Sequence, residues 1–303
     1  MGALQGRAGR LKREGFLPSV GRYVLLGLPL AFVVVQFVVP LALTFVWSFY
    51  EPTGFGMRPG FTLASFQDFL TGVRPFVLRQ SLLMAAWATL VCLLLAYPIA
   101  YWLSLRVRGE LSQALLFLFT VPFIVNHIIR TVSWTYLLDR TGPVNATLIN
   151  LGLIHRPLDW LLYSDFAVLV GLVTSYMPFM IFPLYLALSG IDRRVIEASW
   201  LLGAGPRTTF LRVTFPLSMP GVFAAVIFGF VGSFGEDAVP IILGGAGYQL
   251  MGNVITSVLD VLNYPLAAAI SSVVVVVMLA FLAAWLAIFD IRSFLGKIVR
   301  WRM

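Results

Sequence analysis

Apolar residues run through this chain in blocks that are long and almost uninterrupted, with polar clusters confined to the gaps. A helix needs about 20 predominantly apolar residues to cross the hydrocarbon of a bilayer. Six blocks meet that length, at residues 22–50, 76–105, 111–138, 166–188, 217–236 and 264–290. The pattern predicts an all-α membrane protein with six transmembrane helices. The first block is far longer than the roughly 7–15-residue apolar core of a secretory signal, and no small-residue cleavage site follows it. It is therefore expected to remain as the first span.

Composition supports this reading and removes the main alternative. Hydrophobic residues make up 60% and charged residues 11% of the chain, and mean hydropathy is +0.93. A water-soluble enzyme of 303 residues cannot hide that much apolar surface in one core. No sequence repeat or low-complexity linker divides the chain, so residues 22–290 are expected to form one membrane domain, flanked by an arm at 1–21 and a tail at 291–303. Cys92 is the single cysteine, which excludes an intramolecular disulfide and a cysteine metal cluster.

A net charge of +8 would suit nucleic acid, so the placement of the charges has to decide. Counted across the six spans, five Lys and Arg lie in the N-terminal arm, two in the second-to-third link, four in the fourth-to-fifth link and four in the C-terminal tail. Five lie on the other side, and Arg130 falls within the third block. Basic residues concentrate on the cytoplasmic side of membrane proteins. Both termini are thus expected in the cytoplasm, with the spans in contact with lipid and without a nucleic-acid partner. The outward loops carry Asp139, Asp165, Asp237 and Asp260 among other carboxylates. That mildly acidic face suits a cationic solute or a basic partner, and equally suits ordinary solvated loops.

Catalytic signatures are missing from the sequence. There is no G-x-x-x-x-G-K-[ST] phosphate loop, no G-x-S-x-G elbow, and His127 and His155 have no metal-ligand spacing. No catalytic residue, metal site or cofactor is expected, so the chemistry that drives any work has to come from another subunit.

The longest polar stretch on the cytoplasmic side is 189–216. Asp192 suits a helix N-cap, and Val195, Ile196, Ser199 and Leu202 follow at helical spacing. The segment Gly203 to Pro206 breaks that helix, and a second short helix is expected from residue 207 or 208 to 213, before Pro216. Glu197, Ala198, Ser199, three residues, Gly203, nine residues, then Val213-Thr214-Phe215-Pro216 resemble the EAA-x3-G-x9-I-x-L-P loop of ABC importer permeases. Ser199, Val213 and Phe215 depart from the alanine, isoleucine and leucine of that pattern. The resemblance implies a type I importer permease fold and a coupling role for Glu197, Ala198, Ser199, Gly203 and Pro216 against an ATP-hydrolysing subunit. It also implies two ATP-binding subunits, a second permease subunit, expected to be a different chain, and an extracytoplasmic solute-binding protein.

Ala96–Trp102, Val121–Thr131, Tyr176–Tyr185 and Gly232–Gly245 resemble the permeases of bacterial spermidine/putrescine importers. The last stretch is shared with permeases for iron, thiamine, phosphonates and opines, and these solutes stay open, as does a membrane channel or scaffold without ATP coupling. Carboxylates near a membrane core are costly and tend to be functional. Glu236 lies 19 residues beyond Leu217, about 28 Å along a helix, which sets it near the outer end of the expected path. Glu236 and Asp237 are candidates to attract an ammonium group, with Trp134, Tyr176 and Phe234 adding aromatic faces and Asn126 lining the same route. The alternatives are an acidic pair that ends the helix and an Arg130 that reaches to the outer headgroups. Gly221, Ala225, Gly229 and Gly232 form a small-residue stripe suited to helix packing.

Overall fold

The computed structural model describes residues 27–54, 56–107, 109–119, 121 and 125–288. The basic arm and tail, Arg108 and Pro122 lie outside the described residues.

Among the described residues, five helices are long and apolar enough to cross a membrane. They are α1 (Gly27–Trp47), α3 (Arg74–Leu105), α7 (Asp165–Ser189), α9 (Pro206–Phe234) and, last, α12 (Tyr264–Ile288). Shorter helices fill the connections: α2 (Ala64–Thr71), α4 (Glu110–Leu118), α5 (His127–Leu138), α6 (Pro143–Asn150), α8 (Arg193–Leu201), α10 (Ala238–Leu243) and α11 (Met251–Asp260). The all-α expectation needs one small amendment. After α1 the chain makes a two-stranded antiparallel hairpin, β1 (Glu51–Thr53) with β2 (Gly56–Arg58), in the register Glu51 opposite Arg58. Pro52, Gly54 and Gly56 are the turn residues that signal it.

The third expected span is corrected. Residues 111–138 do not form one helix but α4 and α5, of 9 and 12 residues, neither long enough to cross alone. Asn126 starts the second helix: its side-chain oxygen accepts the Ile128 amide at 2.8 Å, the bond of an N-cap.

The second correction concerns Pro216. A short helix ending before it was expected, whereas α9 begins at Pro206 and continues through Pro216 to Phe234. A widened turn at Phe210–Thr214 makes this possible, with the Phe215 amide bonding back to the Phe210 carbonyl. The wide turn gives the proline ring room that a regular turn denies it. The same device precedes Pro40 in α1, where the Val39 amide bonds to the Val34 carbonyl.

Helices α3, α7 and α9 pack against one another and hold the core. Its middle is built from Cys92, Ala96 and Ala100 of α3, Met180, Ile181 and Leu184 of α7, and Val222 and Ala225 of α9. The small-residue stripe does bring the backbones together. A Cβ on Gly221 would lie 2.6 Å from the Pro183 carbonyl of α7, and one on Gly229 2.6 Å from the Met180 sulfur. Helix α12 closes the far side against α1, α2 and α11. By contrast, α1 buries none of the residues in its span, so its apolar surface is left for lipid or another subunit.

Candidate functional site

Two functional regions lie at opposite ends of α9, which at 29 residues is about 43 Å long. At its N-terminal end is the polar elbow. Asp192 caps α8 as expected, accepting the Arg194 amide at 2.9 Å. Replacing Asp192 with alanine is expected to lower stability by about 1 kcal/mol, measurable as a drop in thermal unfolding temperature in detergent. Helix α8 stops at Leu201, and Gly203 takes φ +80, the left-handed conformation that suits a glycine after a helix C-terminus. Chain direction then reverses into Pro206, the first residue of α9.

Ser199 is buried and its hydroxyl lies 2.9 Å from that of Thr209, which pins α8 to the start of α9. The departure from alanine at this position thus adds a hydrogen bond to the elbow. Ile196 also turns inward. Glu197 and Ala198 are exposed on the outer face, and Pro216 is exposed ten residues after Pro206 in α9. Trp200, Leu201 and Leu202 stand out at 56%, 90% and 88% exposure, so Leu202 does not take the inward place its spacing predicts. A cavity of about 470 Å³ lies between the last turn of α3 and α8, lined by Tyr101, Arg106, Arg193, Glu197 and Trp200. Such a face combines apolar anchors with one carboxylate and two guanidinium groups, the chemistry of a protein-docking surface.

Beyond the other end of α9 stands Glu236, 8% exposed. Its carboxylate accepts four hydrogen bonds. Oε1 accepts from His127 Nε2 at 3.1 Å and from the amides of Ala238 and Val239 at 3.1 and 3.3 Å, and Oε2 accepts the Tyr176 hydroxyl. Arg130 Nη2 is 3.3 Å from His127 Nδ1. A guanidinium can only donate, so Nδ1 must accept, which leaves the imidazole proton on Nε2, facing Glu236. Arg130 therefore turns inward to this relay and not out to the headgroups.

The residues expected to line a path are drawn together only in part. Glu236 and Tyr176 are directly bonded, and Asp237 is exposed beside them. Trp134 is half-buried against the cluster that includes Leu138, Leu172 and Leu243. Asn126 is occupied as a helix cap. Phe234 is corrected: it is completely buried and stacks on Phe230 in the core, because it ends the packed face of α9, so it presents no surface to a solute in this conformation. Sequence reasoning missed His127, read there only as a residue without a metal partner. The signal available was its place one turn before Arg130 in an otherwise apolar run. Near the same end, Asp139 is held below the usual carboxylate range by the Thr141 amide and hydroxyl.

Residues 93–292 match the family described as the binding-protein-dependent transport system inner membrane component. The chain belongs to that family. It is thus a multi-pass inner-membrane transport permease. Its permease relatives include the spermidine/putrescine transport system permease protein PotB of Escherichia coli K12, 37% identical over 75% of this chain and 82% of that one. PotB of Haemophilus influenzae is 36% identical over 69% and 73%. The inner membrane ABC transporter permease protein YdcU of Escherichia coli K12 is 30% identical over 91% and 93%. The solved structure of a bacterial ABC transporter involved in import of the acidic polysaccharide alginate superposes with a TM-score of 0.70. The match covers 89% of this permease and 96% of that chain at 15% identity, a likeness of fold. The type I importer permease fold expected from the elbow motif is the one found.

Proposed function

We propose that this permease carries polyamines, spermidine or putrescine, into the cytoplasm as one half of the membrane channel of an ATP-driven importer, with no catalytic activity of its own. The observation that carries the reading is the 37% identity to PotB over 75% of this chain. Two ATP-binding subunits supply the energy, a second permease of different sequence completes the channel, and a soluble binding protein delivers the cation. The arm at 1–21, the tail at 291–303 and the elbow at 189–216 face the cytoplasm, as the basic residues argue.

On this reading Trp200, Leu201 and Leu202 are covered by an ATP-binding subunit, and Glu197 meets one of its cationic side chains. Closure of the ATP-binding pair pushes the elbow, α9 moves with it, and the outer side opens to the delivered solute. ATP can drive this cycle only because the two conformations bind the ATP-binding subunits with different affinities. Asp237, exposed at the outer end, is the carboxylate positioned to meet an alkylammonium group, with the ring of Trp134 beside the route.

The test is to purify the complex with its binding protein and measure ATP hydrolysis with each solute in turn. Stimulation by spermidine or putrescine supports the reading. Stimulation only by an opine, ferric ion, thiamine or a phosphonate overturns the solute assignment, and a chain that captures no ATP-binding subunit overturns the importer.

A further inference from the structure

We infer that Glu236 is a positioning residue: it is the latch of the outer gate, holding the broken third span closed, and it is not a contact for the transported solute. The inference rests on the importer reading above but not on which solute is carried.

Several parts of the fold meet at this one residue. The side chain of Glu236 receives His127 from α5, Tyr176 from α7 and two amides from the first turn of α10. Its carbonyl is approached by α11 so closely that a Cβ on Gly252 would lie 2.3 Å from it. The Tyr176 ring lies flat enough on α9 that a Cβ on Gly232 would fall 2.2 Å from it, so the hydroxyl is aimed by packing. With three donors on Oε1 and the Tyr176 hydroxyl on Oε2, an ammonium ion would have to enter a buried junction that already supplies the carboxylate with four hydrogen bonds. A structural anchor could be built from apolar residues at no desolvation cost. A charged one, buried at 8% exposure, is stable only while His127, Tyr176 and the α10 amides all stay in place, and loss of one partner is costly. Such a contact is two-state, either fully made or broken.

Placement connects it to the energy source. Helix α9 runs from Pro206, next to the coupling elbow, to Phe234, two residues before Glu236. Movement of the elbow therefore reaches the latch along a single rod. Helix α5 is too short to span the membrane, and the His127 bond ties its first residue to Glu236 at the end of α9.

The experiment uses the whole transporter with its ATP-binding subunits and binding protein, in lipid, comparing the wild type with Tyr176→Phe and Glu236→Gln. Tyr176→Phe retains the ring on Gly232 and loses only the hydroxyl, so folding is preserved in at least one variant. The expected result is that ATP hydrolysis without binding protein rises roughly tenfold in both, as a closed state short of one charge-assisted bond gives way. The solute KM for the remaining stimulated activity stays unchanged. Unchanged unstimulated hydrolysis with a raised solute KM would overturn the latch and make Glu236 a solute contact. Unchanged hydrolysis and KM with only a lower unfolding temperature would overturn it in favour of a purely structural bond. A wild-type complex that hydrolyses no ATP would instead defeat the importer reading itself.

Discussion

A Glu197→Arg variant is expected to reach the membrane in normal amounts and to lose roughly a hundredfold of its solute-stimulated ATP hydrolysis. Glu197 is exposed on the outer face of α8 and has no part in the hydrogen bonds that hold the elbow, which run through Asp192, Ser199 and Thr209. Its replacement therefore costs the isolated permease little. At a docking surface the situation is reversed. A cation in place of the carboxylate would face the cation that the carboxylate is expected to meet, and like charges brought together at an interface cost several kcal/mol. About 2.8 kcal/mol is enough for the hundredfold loss. The neighbours make the site sensitive, since Trp200, Leu201 and Leu202 expose the apolar surface that docking would bury. The measurement is the ratio of stimulated hydrolysis to the amount of complex recovered. A variant that couples as well as the wild type would remove Glu197 from the coupling surface.

The elbow could be read in advance because its determinants are local. An N-cap, a glycine with positive φ and a proline at a helix start each act within a few residues, and Asp192, Gly203 and Pro206 all occupy the predicted roles. The long spans were equally legible, since mean apolarity over some 20 residues needs no knowledge of partners. The misreadings share a different cause. A hydropathy pattern measures transfer to lipid, and it registers no difference between a continuous helix and two short ones, so α4 and α5 were joined. Pro216 was given its usual role as a helix boundary, because a widened turn five residues long leaves no mark in composition. Phe234 and Glu236 are two positions apart and were assigned to the same path, yet one ends the packed face of α9 and the other turns into a polar junction. That distinction depends on His127 and Tyr176, which are 109 and 60 residues away in sequence. Long-range pairing of this kind cannot be inferred from one sequence.

The largest expected effect on folding is at Gly221, where valine should destabilise the permease by about 3 kcal/mol or more. The position sits where α9 crosses α7, and the added Cβ alone would meet the Ala187 Cβ at 2.5 Å, the Pro183 carbonyl at 2.6 Å and the Leu184 Cα at 3.2 Å. Two of these three are backbone atoms of a helix, so no side-chain rotation relieves the overlap and the helices must separate. Separation would open the cluster of Met180, Ile181, Leu184 and Val222 and Ala225, all buried at this crossing. In lipid there is no hydrophobic force to restore it, because acyl chains solvate those side chains as well as the core does, and close packing is what the interface loses. Gly203 provides the contrast. Nothing lies within 4 Å of its Cβ position, so Gly203→Ala meets only the strain of its φ of +80 and should cost about 1 kcal/mol. Thermal unfolding of the two variants in detergent, followed by the fraction remaining monodisperse, measures the difference. If Gly221→Val unfolds no earlier than Gly203→Ala, the close contact of α7 and α9 is not what holds the bundle together.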